Sequence, residues 1–150
     1  NRIREEVYNA FIEMFNAAKE DGITLIVNSS YRTHDEQEEI YNDYESSQGK
    51  AYADKYAARP DYSEHQTGLA LDIFTPGAGM ANFEETDAFR WLQENSYKYG
   101  FILRYPEGKE DITGYNYEAW HYRFLGKDLA KKVYNSGLTY DEYYAYYLEK

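Results

Sequence analysis

An α+β fold in one domain, residues 1–150, with a small and largely antiparallel sheet backed by helices, follows from three features of the sequence. Apolar residues recur at helical spacing near both ends of the chain, short β-branched or alternating runs lie between them, and glycine-bearing turns separate the runs. A chain of 150 residues is long enough to bury around 70% of its unfolded surface in a single core.

Over residues 2–20, Ile3, Val7, Phe11, Met14, Phe15 and Ala18 fall on one helical stripe, and Asp21-Gly22 stops it. Ile23-Thr24-Leu25-Ile26-Val27 is a β-branched strand that delivers residues 28–32 at its C-terminal end, where loops commonly carry function. Thr33 and Glu36 make a capping-box pattern for a helix to about residue 46, on which Gln37 ends a stripe of Ile40, Tyr41 and Tyr44. Residues 49–58 read as a short, weakly amphipathic helix closed by Arg59-Pro60-Asp61. Leu69-Ala70-Leu71-Asp72-Ile73-Phe74 is a strand with Leu69, Leu71 and Ile73 on the core face and Ala70 and Asp72 on the other. Residues 75–79 form an irregular loop. A helix over 85–99 carries Phe89 and Leu92 inward and stops at Gly100, and Phe101-Ile102-Leu103 is a short strand. Residues 107–117 read as a surface hairpin or loop leading into a strand from Glu118. There Trp120, Tyr122 and Phe124 alternate with Ala119, His121 and Arg123, so Trp120 is read as core rather than as a platform for substrate. After Gly126 come a helix over 128–135 and a tail helix. The tail stripe of Tyr140, Tyr143, Tyr144, Tyr147 and Leu148 is expected to pack on the body.

Composition excludes several classes of function. Sixteen Lys and Arg against 27 Asp and Glu give a net charge of -11, which argues against nucleic acid or an anionic membrane as the main partner. With no cysteine there is neither a disulfide framework nor a thiolate metal site, so histidine and carboxylate are the metal chemistry available. No apolar run is long enough to span a bilayer, and no basic region precedes an apolar leader. The chain begins at Asn1 and is expected to be a mature or trimmed fragment, with any leader or anchor on the missing part.

Two stretches hold the chemistry: Ser63-Glu64-His65-Gln66-Thr67-Gly68-Leu69-Ala70-Leu71-Asp72, and Glu118-Ala119-Trp120-His121. His65, Asp72 and His121 can supply three ligands to one zinc and leave a fourth position for water, as catalytic zinc sites do, with Glu118 remaining as a base. Fully extended, His65 and Asp72 would lie about 23 Å apart at roughly 3.3 Å per residue, so the chain must turn between them. Gly68 is the residue best able to make that turn. Glu118 and His121 are three apart, on opposite faces of a regular strand, so a kink or bulge is required to aim both at one metal.

These segments, with Ser30-Tyr31-Arg32 and the run Tyr99-Gly100-Phe101-Ile102-Leu103-Arg104-Tyr105-Pro106, closely resemble the VanY-type zinc D-Ala-D-Ala carboxypeptidases and the related LdcB-type L,D-carboxypeptidases. The resemblance spans roughly residues 23–126, and its pattern S-x-H-x-x-G-x-A-x-D with a distant E-x-W-H is specific. It implies that His65, Asp72 and His121 hold one zinc per chain, that Glu118 is the catalytic base and that Arg32 is a cation over the reacting carbonyl. It suggests Ser63 and Gln37 as substrate contacts, and no chemical position departs from the pattern. The function implied is removal of the terminal D-alanine from peptidoglycan stem peptides, D,D activity on the pentapeptide, by a monomer in the bacterial envelope outside the cytoplasm. L,D activity on tetrapeptides is the closest competitor, followed by a cell-wall endopeptidase. A non-catalytic wall-binding module, as occurs in the fold group that includes lysostaphin and sonic hedgehog, is disfavoured by the presence of Glu118 and Arg32.

Overall fold

The computed structural model describes residues 4–29, 42 and 64–149 of the chain. Helix α1 (Glu5–Glu20) buries Val7, Phe11, Met14 and Ala18, four positions of the apolar stripe read from the sequence. The helix exit consumes more chain than expected: the Ile23 amide bonds back to the Ala18 carbonyl at 2.9 Å. Strand β1 therefore runs Ile26–Ser29 rather than from Ile23. A 3-10 turn, Glu64–Thr67, leads into strand β2, which spans Ala70–Phe74 and is buried along its whole length.

The 85–99 segment is not one helix. A 3-10 turn (Phe83–Glu85) precedes α2 (Asp87–Asn95), which is capped where the Thr86 hydroxyl accepts from the Phe89 amide, and a second 3-10 turn (Ser96–Tyr99) follows. Gly100, at φ 97°, closes this run in the left-handed region, as its place after the helix predicts. Strand β3 then runs Phe101–Tyr105, a four-residue helix α3 (Glu110–Thr113) interrupts the expected hairpin or loop, and β4 runs Glu118–Phe124. Helices α4 (Lys127–Ser136) and α5 (Tyr140–Tyr143) end the chain with a π-helical turn (Tyr144–Leu148).

The described strands form one antiparallel sheet in the order β1-β2-β4-β3. Leu71, Ile73, Phe101 and Tyr122 point from it into a core shared with α1 and α2, where Trp91, Leu92 and Phe83 complete the packing. A smaller cluster of Ile102, Ala130 and Val133 seats α4 against β3, with Tyr140 and Tyr143 packed on it. The tail stripe departs from expectation beyond that point: Tyr144, Tyr147 and Leu148 are exposed rather than packed on the body. The switch to a π-helical turn after Tyr143 breaks the 3.6-residue spacing on which the expectation rested.

Gly100 carries a sharp stability prediction. A β-carbon added there would stand 2.7 Å from Cε1 of Phe124 and 3.2 Å from the Gly126 backbone, at a φ that L-residues avoid. Gly100→Ala is expected to cost about 1–3 kcal/mol in urea denaturation, and an unchanged midpoint would show that the turn relaxes freely.

Candidate metal centre

The turn that begins the site is tied from two sides. The Thr67 hydroxyl donates to the Glu64 carbonyl at 2.5 Å and accepts from the Leu69 amide at 3.0 Å, and Gly68 adopts φ 75° as the sequence required. Arg4, just ahead of α1, adds its amide to the Gly68 carbonyl and its Nε to that of Thr67. His65 leaves this turn buried, at 2% exposure, while β2 carries Asp72.

Pairing of β2 with β4 sets Asp72 directly opposite His121. The required irregularity lies in β4: Leu103 pairs with Tyr122 but Tyr105 pairs with Glu118, so three residues of β4 face one of β3. Its signature is that residues three apart share a face. Ala119 and Tyr122 both enter the core, and Glu118 Oε1 stands 3.7 Å from His121 Nδ1 on the opposite side. The Tyr122 hydroxyl donates to the Ala119 carbonyl at 2.9 Å, satisfying a backbone acceptor within the irregular stretch. Trp120 is half-buried and stacks on Phe74 at 6.0 Å, consistent with the core reading.

Donor atoms of His65, Asp72 and His121 lie within 4.8 Å of one another, and all three residues are buried. Asp72 Oδ1 is 3.1 Å from His65 Nε2 and 3.4 Å from His121 Nδ1. Two ligands each about 2.0–2.1 Å from a tetrahedral zinc lie about 3.3 Å apart. The spacing and donor types thus suit a small divalent ion bound by two imidazoles and one carboxylate. Glu118 stands beside this cluster rather than within it, where a carboxylate can act on a molecule in a fourth position.

The electrostatics favour ionised carboxylates. Burial opposes charge on Asp72, but hydrogen bonds and charge interactions with His121 and His65 outweigh it and hold the carboxyl far below its ordinary range. Burial likewise opposes protonation of His121, and its contacts with Asp72 and Glu64 overcome that, raising the ring well above its ordinary value. A cation of either kind, proton or metal, is therefore what this cluster is built to hold. The His65 and His121 rings meet edge to face at 4.9 Å, and Tyr105 lies 4.9 Å from His121 on another side. Burial keeps the Tyr105 hydroxyl protonated, reinforced by the nearby Glu64 charge.

One residue at the site had no role assigned from sequence. Glu64 Oε1 is 3.1 Å from His121 Nε2, and its Oε2 accepts from Arg104 Nε at 2.6 Å and Arg123 Nη1 at 2.9 Å. Only its position next to His65 marked it in the sequence. Arg32, Ser63 and Gln37 lie outside the described residues, as do the helices expected over 33–46 and 49–58.

Two histidines and one carboxylate converge where the 3-10 turn meets the paired inner strands of a four-stranded antiparallel sheet, a donor set of the class that holds one small divalent cation with a position left open. The model of the VanY family, D-alanyl-D-alanine carboxypeptidase, matches residues 1–127, and the chain belongs to this family. A D-alanyl-D-alanine carboxypeptidase of Enterococcus faecalis is 45% identical over 140 residues, covering 87% of this chain and 51% of that protein. The LdcB LD-carboxypeptidase structure superposes with a TM-score of 0.89 at 45% identity, covering 95% of this chain and 68% of that one. A variant of the D,D-pentapeptidase VanY from a VanB-type vancomycin resistance cassette, in complex with Zn(II), gives 0.84 at 42%, covering 95% and 84%. The chain spans about half the length of the curated relatives it matches. Among the described residues, no helix is long and apolar enough to cross a membrane.

Proposed function

We propose that this chain is a zinc-dependent D,D-carboxypeptidase that removes the terminal D-alanine from peptidoglycan stem pentapeptides. The observation that carries the reading is the convergence of His65 Nε2, Asp72 Oδ1 and His121 Nδ1 with the Glu118 carboxylate alongside. Its relatives in the family, one of them a zinc-bound D,D-pentapeptidase, support the metal and the substrate class. Residues 1–150 act as the catalytic domain, as a monomer, in the cell envelope outside the cytoplasm.

In this reading His65, Asp72 and His121 hold the ion. When bound, zinc would supply Lewis acidity and lower the pKa of a water toward neutral. Glu118 takes the proton of that water and returns it to the leaving amine as the carbon–nitrogen bond breaks, so one water is consumed and free D-alanine released. Arg32 stabilises charge on the carbonyl oxygen, and Ser63 and Gln37 contact the peptide, roles that rest on the family pattern.

The similarity to the LdcB structure favours a second reading, L,D activity on tetrapeptide stems, with the same metal and base. Mass spectrometry of products from matched pentapeptide and tetrapeptide, with and without chelator, decides between them. Chelator-sensitive loss of one alanine from the pentapeptide alone is expected. Loss from the tetrapeptide would move the assignment to L,D, and an intact pair with zinc bound would move it to an endopeptidase or a wall-binding module.

A further inference from the structure

Glu64 joins two sets of partners. One carboxylate oxygen meets His121 on Nε2, the nitrogen turned away from Asp72, and the other is held by two guanidinium groups. Arg104 is held in turn by Asp141, with Nη2 donating to Oδ1 at 3.2 Å and Nη1 to Oδ2. Asp141 sits on α5, whose start is fixed by a capping box: the Glu142 amide donates to the Thr139 hydroxyl at 3.0 Å and the Thr139 amide to Glu142 Oε1 at 2.9 Å. The rings of Tyr105 and Tyr140 flank Arg104 at 5.0 and 5.3 Å. Two carboxylates thus face two guanidinium groups with their charges offset, and the cluster is largely withdrawn from water.

Ion pairs so withdrawn are a weak source of stability, because desolvation cancels most of the attraction. A carboxylate on the outer nitrogen of an imidazole has a specific effect instead: it fixes which nitrogen faces inward and raises that nitrogen's basicity. From this geometry we infer that Glu64 is a positioning residue for His121. Asp141, which lies beyond the family-matched residues 1–127, acts as the outer support of Glu64 through Arg104. The inference rests on the zinc reading above, since its object is the ligand that His121 presents.

The test titrates metal-free protein with Zn2+ against a competing chelator, records the visible spectrum of the Co2+-loaded protein and measures melting of the metal-free forms. Glu64→Gln is expected to fold and to bind zinc about 10- to 100-fold more weakly, with shifted Co2+ bands. Asp141→Asn is expected to weaken zinc about 2- to 10-fold. A folded Glu64→Gln with unchanged zinc affinity and an unchanged Co2+ spectrum overturns the inference while leaving the zinc reading intact. Absence of zinc binding by the unaltered protein overturns the zinc reading itself, and this inference with it. Should Glu64→Gln fail to fold, Asp141→Asn decides: weaker zinc at an unaltered metal-free melting temperature supports the relay, and unaltered zinc affinity overturns it.

Discussion

Glu118→Gln is expected to retain zinc and to lose kcat by about 10²- to 10⁴-fold, the contribution of a positioned general base. The amide preserves the size and hydrogen-bonding capacity of the side chain but cannot take a proton. Metal retention follows because Glu118 stands outside the cluster of three donors, 3.7 Å from His121 Nδ1. Steady-state kinetics on the pentapeptide, with zinc measured by atomic emission on the same sample, separates the outcomes. Full turnover would remove Glu118 from its role, whereas joint loss of zinc and activity would make it a ligand instead.

His65→Ala is expected to abolish zinc retention and activity together. Two donors would remain of three, and an alanine methyl at this buried position offers no ligand atom. The ring also contacts Asp72 at 3.1 Å and His121 at 4.9 Å, so its loss loosens the remaining ligands as well. Circular dichroism in the presence of chelator, for both the variant and the parent, shows whether the fold survives. Normal zinc content in a folded His65→Ala would sink the ligand assignment.

The scaffold was most legible where periodicity is long. The α1 stripe at Val7, Phe11, Met14 and Ala18 needs only the 3.6-residue repeat, and the two-residue alternation of β2 separates Asp72 from Leu71 and Ile73 without reference to any partner. The Glu118 and His121 spacing was legible as a contradiction: it demanded a bulge, and β4 has one opposite β3. Local hydrogen bonds decided what periodicity could not. The amide of Ile23 turned back to α1 and delayed β1, and the hydroxyl of Thr86 started α2 later than its apolar pattern suggested. Glu64 was hidden for another reason. Its partners Arg104 and Arg123 lie 40 and 59 residues away, Asp141 lies 37 residues from the Arg104 it holds, and no local pattern encodes such distances.

The adjacency of β2 and β4 has a consequence for how this site tolerates change in chain length. Asp72 and His121 are set at their separation by the rungs of a hydrogen-bonded antiparallel ladder, and the segment between them, with α2, β3 and α3, leaves and rejoins that ladder at the same end. Closing a flexible loop costs only about 0.6 kcal/mol more for each doubling of its length. Insertions in the turns at 75–82 or 106–117 would therefore lengthen the path between the two ligands without moving either one. Within the five residues of β2, by contrast, a single insertion would turn Asp72 toward the core. Diversity in this architecture has room to accumulate around the centre, while the ruler that sets its dimensions admits almost none.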